Sequence, residues 1–410
     1  MKNKKDVGIL RDLAKTVYEV GVSDRQNQLR QMWKKHNSLA DTGIPIHVWL
    51  TMCPDEIVTN EELLCEDELF RQYEKELRLN IYQDFIQDDT IIEPFLYVRA
   101  KHVPGLNHRY GFPLITGSEL DTRKYHFEPA VKTIEDIDKL VMPDHKIDWD
   151  ATNAEADMLR DAVGDVLPVV VDPSPMFVAI EGDISTDIGF LVGFQDLLYY
   201  VYDEPEMLHK LAKTLSDGIL KAHAQAEQAG DWRSVSGRNQ CITYSMELPD
   251  PSVSDAPVKK SSLWGFMASQ EFTSISPDMF QEFLLPYQIP ILEQFGLVAY
   301  GCCEDLTRKI DLLKQIRNLR RISVSPWANI PSCAETIGRD YVLSWRPNPA
   351  QMITSVLEEG AIRKTVDDAC NIYRQNGNIA DITLKDVKTV YHKPQNMKRW
   401  VEIVRSVTEK

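Results

Sequence analysis

Residues 274–303, SISPDMFQEFLLPYQIPILEQFGLVAYGCC, contain one complete step from helix to strand, and their reading decides the fold. Ser276 is an N-cap residue type, and Pro277 suits the first helical position, where a missing N–H is no loss. Apolar residues follow at helical spacing until Gly296, which favours the left-handed turn that ends a helix. Pro286 lies inside this stretch and should kink or split it, because it removes a donor and its ring meets the preceding turn. The chain then enters GLVAYGCC (296–303), an apolar run of strand length that stops on two adjacent thiols, with Glu304 and Asp305 next.

The same rhythm extends in both directions. Strand-like runs are IPIHVWLT (44–51), TIIEPFLYV (90–98), VLPVVVDPSP (166–175), SVSGRNQCITYS (234–245), GLVAYGCC, RRISVSPW (320–327), DYVLSWRPNP (340–349) and ADITLKDVKTV (380–390). Helical segments separate them; one is capped by Asp203, has Pro205 in its first turn and stops at Gly230. Strands alternating with helices imply parallel βαβ units, and eight of them predict a closed (β/α)8 TIM barrel, with a doubly wound open sheet as the alternative. Residues 1–43 read as an N-terminal helical arm that packs on the body or on a second subunit, which is the basis for expecting a homodimer. Residues 44–410 form the barrel, with a long insertion at about 99–165. Within it, KHVPGLNHRYGFPLITGSELDTRKYHFEP (101–129) is turn-rich and aromatic, too long for an ordinary connection, and reads as a lid.

The composition is that of a soluble globular chain: 410 residues, 43% hydrophobic and 26% charged. With 46 basic against 62 acidic side chains the formal charge is −16, and there is no basic block, which argues against a nucleic-acid partner. Seven cysteines (Cys53, Cys65, Cys241, Cys302, Cys303, Cys333, Cys370) make an odd, sparse set that fits reduced thiols in a cytoplasm. No apolar run approaches the ~18 residues of a membrane span, and the N-terminus, MKNKKDVGILRDLAK, has no apolar signal region. A cytoplasmic location is expected.

In a parallel barrel the functional groups gather at the C-terminal strand ends. The runs above place Asp172 and Ser174, then Cys241 and Tyr244, then Cys302, Cys303, Glu304 and Asp305 there, followed by Ser325 and Trp327, Arg346 and Asn348, and Lys385 and Asp386. Zinc takes thiolate, imidazole or carboxylate, three of them at a catalytic site, and Cys302 or Cys303 with Glu304, Cys241 and Asp386 offers that chemistry. No CxxC or HxxxH spacing accompanies it, and buried free cysteine is a common core residue. His47 reads as a core histidine, and Cys333 and Cys370 as inert thiols in helices. Lys385 and Asp386 close a buried strand; unpaired buried charge is costly, so they must be paired, solvated or functional. Arg346 suits bidentate binding of an anion, or of a neighbouring acidic loop.

The blocks GFLVGFQDLLYYVYDEPEMLHKLAKTLSDGILKAHAQAEQAG, SLWGFMASQEFTSISPDMFQEFLLPYQIPILEQFG, AYGCCEDL, YVLSWRPNP and KPQNMKRWVEIV, in this order and spacing, resemble the uroporphyrinogen decarboxylase-like superfamily, which includes cobalamin-independent methionine synthase and the corrinoid methyltransferases. The resemblance covers most of the chain after about residue 45 and implies the TIM barrel. The true decarboxylases carry an arginine-rich segment after the first strand. The corresponding VWLTMCPDEIVTNEELL has no arginine and several acids, which speaks against uroporphyrinogen as substrate. The methyltransferase branches place a His-x-Cys pair where this chain has Tyr300-Gly301-Cys302, and a second cysteine near Asp386. Cys302 thus matches the first zinc thiolate, while Tyr300 stands at the histidine position and Asp386 or a neighbour at that of the distal cysteine.

The resemblance implies a methyltransferase that moves a methyl group between a small methylated substrate and a corrinoid held by a partner protein, assisted by zinc. On this reading Cys302, Cys303, Glu304, Asp386 and Arg346 are catalytic. The metal ligands are Cys302, Glu304 and Asp386, with Cys303 or Cys241 as a further ligand. Trp327, Tyr244, Trp264, Tyr300, Lys385 and Asn348 surround the substrate. Two alternatives stand beside it: a cofactor-free decarboxylase or lyase, with Arg346 and Lys385 on the carboxylate and Asp386 or Asp172 stabilising a protonated intermediate, and a non-catalytic ligand-binding barrel.

Overall fold

The computed structural model describes residues 4–105, 110–111, 129–142, 144–236 and 243–409. Two helices lead, α1 (Lys4–Gly21) and α2 (Asp24–Asn37). Eight strands follow: β1 (Ile46–Val48), β2 (Leu96–Arg99), β3 (Val169–Asp172), β4 (Trp264–Met267), β5 (Leu297–Tyr300), β6 (Leu319–Val324), β7 (Val342–Trp345) and β8 (Ile379–Leu384). Between β1 and β2 lie α3 (Pro54–Ile57) and α4 (Glu68–Ile86); between β2 and β3, α5 (Trp149–Val163); between β3 and β4, α6 (Ile184–Val192), α7 (Phe194–Asp203) and α8 (Pro205–Ala229). Then come α9 (Pro277–Phe283) and α10 (Leu285–Leu292) before β5, α11 (Ile310–Leu313) before β6, α12 (Ile330–Ile337) before β7, α13 (Pro349–Met352) and α14 (Glu359–Asn376) before β8, and α15 (Gln395–Thr408) last.

Every ladder among the described residues is parallel. The order is β1-β8-β7-β6-β5-β4 in one sheet and β2-β3 in another. Pairing of the first strand with the last curls the sheet toward closure in the TIM-barrel manner. Among the described residues no ladder joins β1 to β2 or β3 to β4, so the closed barrel expected from the sequence is instead a curled six-stranded sheet with a separate pair, a half-barrel open along two seams.

Most local signals act as the chemistry requires, but Gly296 does not end its helix: α10 stops at Leu292, its cap Glu293 is right-handed, and Gly296 has no positive φ. Ser276 Oγ accepts from Met279 N at 3.2 Å, and Pro286 splits its segment into α9 and α10. The caps of α8 and α14, Gly230 and Gly377, are left-handed. The α8 N-cap is Glu204 rather than Asp203, which puts Pro205 first in the helix. The larger correction concerns the fourth strand. Residues 234–236 form a turn and 243–245 carry no regular structure, while β4 is WGFM (264–267). Four residues without a β-branched side chain give little period to read.

Strand alternation sorts the side chains into two layers. Ile322, Val324, Leu343, Trp345, Ile382 and Leu384 face the surrounding helices in the main core. Trp264, Phe266, Leu297 and Ala299 pack together with Cys302 on the concave side. The arm belongs to the body of its own chain: Leu10, Ala14 and Val17 of α1 join a core with Phe70, Tyr73 and Leu77 of α4 and Ala156 and Leu159 of α5. Part of the expected insertion is therefore an ordinary helix, α5, between β2 and β3. The expected lid, 101–129, lies largely outside the described residues.

Candidate active site

At the end of β5 the backbone turns at Gly301, whose φ is +99°; a Cβ there would sit 2.6 Å from Leu306 Cδ1. Only glycine fits, and the turn carries Cys302 and Cys303 to the strand ends. Glu304 then folds back. Its Oε1 accepts from Ser269 N at 2.7 Å and its Oε2 from Cys302 N at 2.8 Å, so the carboxylate ties the end of β4 to the end of β5.

The last strand supplies the cation. Lys385 follows Leu384 and turns to the concave side, where its Nζ lies 2.9 Å from Cys302 Sγ and 3.3 Å from Cys303 Sγ. Asp386 adopts φ +60°, a left-handed conformation that aspartate tolerates better than most residues, and its Oδ2 lies 3.1 Å from Cys303 Sγ and 3.3 Å from Lys385 Nζ. The two sulfurs are 3.6 Å apart. Four side chains from two strand ends thus share one point.

Their protonation follows from this contact. The hydrogen bond from Cys303, with the charges of Lys385 and Arg346, outweighs burial and Glu304 and brings the Cys302 thiol down to about 6. Cys303 is pushed up, because its proton is held in that hydrogen bond and the site is buried. Burial works most strongly against the charge on Lys385, but Cys302, Cys303 and Asp386 together outweigh it, and the ammonium is held above its ordinary range. Cys302 and Lys385 therefore form a thiolate–ammonium pair at neutral pH. The remaining described thiols go the other way through burial: Cys53 and Cys65 rise to about 12, Cys333 and Cys370 to about 11.

Beneath this cluster the sheet carries further polar layers. At the N-terminal end Arg321 Nη2 meets Asp381 Oδ2 at 2.7 Å, and Ser344 Oγ donates to Asp381 Oδ1 at 2.8 Å. Helix α2 closes this end, with His36 Nε2 3.2 Å from Asp381 Oδ2 and Asn37 Oδ1 accepting from Arg321 Nη1 at 2.6 Å. Between floor and mouth lie His47, Thr383 and Arg346, all buried.

The residues predicted from sequence divide clearly. Cys302, Cys303, Lys385 and Asp386 come together, and Arg346 lies near enough to help lower the Cys302 thiol. Glu304 is adjacent, but both its oxygens accept backbone N–H groups, so it braces the site rather than offering a ligand. Tyr300 is on the convex side and donates to Gln288 Oε1 of α10 at 2.7 Å, because strand alternation turns it away from the mouth. Trp264 opens β4 at the opposite end, its Nε1 donating to Thr243 O at 2.6 Å. Tyr244 is also away from the mouth, its hydroxyl held by Glu93 and Arg30 beside the arm. Asn348 caps α13 by accepting from Ala350 N at 3.0 Å. Trp327 stands on the rim, 71% exposed. Cys241 lies outside the described residues. Asp172 accepts from Arg99, Tyr97, Ser174 and Ser236 and is fully used in joining β2 to β3.

The donors as arranged do not fit a zinc ion. Cys302, Cys303 and Asp386 are the right ligand types, but the Lys385 ammonium lies within 3.3 Å of each and fills the space that a cation would take. Among the described residues no group of three or more His, Cys, Asp or Glu side chains is placed to hold a metal.

Sequence reading passed over a second carboxylate group behind Glu304. Ser185 Oγ donates to Asp183 Oδ2 at 2.8 Å and to Glu271 Oε2 at 2.9 Å; burial pushes both acids up, helped by repulsion from Glu271 and Glu304 on Asp183 and from Glu304 on Glu271. A cavity of about 520 Å³ opens by the ends of β2 and β3, lined by Tyr97, Arg99, His102, Met176, Val178 and Glu181, none of them in the thiol cluster. No described helix is long and apolar enough to cross a membrane.

No family model and no curated protein matches the chain. Among solved structures, a methyltransferase from Methanosarcina mazei is similar over 92% of this chain and 98% of that one, with a TM-score of 0.51 and 11% sequence identity. At that identity the likeness carries the α/β fold with its curled parallel sheet; the chemistry rests on the residues above.

Proposed function

We propose that the protein is a methyltransferase of the uroporphyrinogen decarboxylase-like kind, which takes a methyl group from a small methylated compound at the mouth of the half-barrel. The observation that carries this reading is the 2.9 Å contact of Lys385 Nζ with Cys302 Sγ at the C-terminal strand ends, where this architecture keeps its reacting groups; the contact favours a thiolate beside an ammonium. The acceptor is a corrinoid on a partner protein, whose reduced cobalt supplies the nucleophile. Lys385 stands at the mouth with Cys302, Cys303 and Asp386 holding it charged. It gives a proton to the oxygen or nitrogen that the methyl group leaves, which removes the cost of expelling an anion. Cys302 stabilises the ammonium before transfer, and Lys385 regains its proton from solvent once the demethylated product has left.

The test is methyl transfer from a panel of aryl methyl ethers and methylamines to free reduced cobalamin, followed by the absorbance of methylcobalamin. Lys385→Met should lower turnover about 100-fold or more, and Cys302→Ala about tenfold or more, the range that a positioned proton donor and its partner contribute. No transfer from any member of the panel with the wild-type protein would sink the proposal. A second reading, decarboxylation or another lyase step on a carboxylated substrate, is favoured by the open donors of Arg346; release of carbon dioxide without methylcobalamin would select it.

A further inference from the structure

Arg346 is 1% exposed at the end of β7. Its Nη1 donates to Ser344 O at 3.0 Å, while Nε and Nη2 have no hydrogen-bond partner among the described residues. These two atoms form one edge of the guanidinium, two parallel N–H groups at the spacing of the two oxygens of a carboxylate. Arg321, one layer below, has both terminal nitrogens on side-chain partners, Asn37, Ser344 and Asp381, whereas Arg346 has only Nη1 engaged among the described residues, on a backbone carbonyl.

The register places a second open group beside Arg346. Ser344 pairs with Asp381, so the next inward positions on these strands, Arg346 and Thr383, are level, and His47 of β1 pairs with Thr383 on the other side. His47, Thr383 and Arg346 therefore form one layer across β1, β8 and β7. The outer two stand two strand spacings apart at the backbone, roughly 10 Å, with Thr383 between them. His47 is buried, and no hydrogen bond to its ring is found among the described residues. Burial brings its pKa down to about 4, so it is a neutral imidazole at pH 7, able to donate or accept. Lys385 and Cys302 stand in the layer above.

We infer that this layer seats the carboxylate of the substrate: a small monocarboxylate places both oxygens on the open Nε–Nη2 edge of Arg346, with His47 completing the contact and the reacting end directed up at Lys385 and Cys302. The inference rests on the reading of the mouth as the reacting site and narrows its substrate to methylated or otherwise functionalised carboxylic acids. Phosphate is disfavoured, because the layer offers a dianion one guanidinium edge and a neutral imidazole, and the Lys385 ammonium above is already paired with Cys302 and Asp386.

Binding tests this without corrinoid or turnover, so failed methyl transfer leaves the result intact. Calorimetry with benzoate, 4-methoxybenzoate and acetate should show binding of at least one acid to the wild-type protein, and at least tenfold weaker binding of the matching amide. Arg346→Met should weaken the acid about 30-fold or more; Arg346→Lys should recover part of it, since an ammonium gives charge without the paired geometry. Thermal unfolding separates a ligand-binding arginine from a structural one. Arg346→Met should be at least as stable as wild type without ligand and lose the stabilisation that the acid confers. Equal binding of acid and amide, tighter binding of phosphate, unchanged binding by Arg346→Met, a less stable apo variant, or no binding by any of the three acids would overturn the inference.

Discussion

Cys302 and Cys303 are neighbours in sequence, yet their protons behave oppositely, and the difference lies in what each sulfur touches. Cys303 holds the proton in the hydrogen bond the two sulfurs share, which favours the anion on Cys302; Lys385 at 2.9 Å adds to this on Cys302, while the Asp386 carboxylate at 3.1 Å opposes charge on Cys303. A pH titration of the thiolate absorbance, taken as the difference between wild type and Cys302→Ser, should show one group with a midpoint near 6. Lys385→Met should move that midpoint up, part of the way to the ordinary thiol value of about 8.5, since one of the charges that favour the anion is gone while the hydrogen bond from Cys303 remains. A wild-type midpoint above about 8 would contradict the thiolate assignment. The same lysine decides the question of metal. Lys385→Ala leaves two sulfurs and a carboxylate around a vacated space, so zinc affinity, measured against a chromophoric chelator, should rise about tenfold or more over wild type. Stoichiometric zinc in the wild-type protein that Lys385→Ala does not tighten would reverse this argument.

At the scale of elements, α2 matters more than its polar sequence suggested. It closes the N-terminal end of the sheet and brings His36 and Asn37 to the Arg321–Asp381 pair. Arg321 holds the Asp381 carboxyl well below its ordinary range despite complete burial. Arg321→Leu strands that carboxylate and should cost about 3–5 kcal/mol in urea unfolding, the usual loss when one partner of a buried pair is removed. A loss under about 1 kcal/mol would show that water reaches Asp381. The elements were largely legible in the sequence, because β-branched runs bounded by proline and glycine mark strands independently of context; β4 has neither feature and was not found. The site was legible only in part. Cys302, Cys303, Lys385 and Asp386 follow from strand ends alone, whereas Tyr300 and Trp264 required knowing which face each strand position takes and where the strand starts. His47 shows the converse: an isolated polar residue between Ile46 and Val48 looks like a filled core position until the register sets it beside Arg346.

For the whole molecule, a polar interior packed between helices ties stability to pH through groups that cannot charge in place. Burial pushes His47 and His223 down to about 4 in the folded chain, against about 6.5 unfolded. Below about pH 6.5 the unfolded chain binds protons at these positions and the folded chain does not, so their contribution to stability is whole above that value and falls as the pH drops toward 4. From about pH 7.5 to about pH 5 each histidine removes roughly 2 kcal/mol. Asp88, pushed up to about 6 by burial, works the other way over part of this window, because its folded form takes up the proton first. The wild-type slope alone therefore mixes opposing contributions, and a comparison isolates the histidines. A His47→Gln, His223→Phe double variant should lose less stability than wild type over the same interval, by roughly 4 kcal/mol, measured by urea unfolding at both ends. Equal losses in the two proteins would mean that these imidazoles are protonated in the folded state, which would also remove the neutral donor that the carboxylate layer beside Arg346 requires.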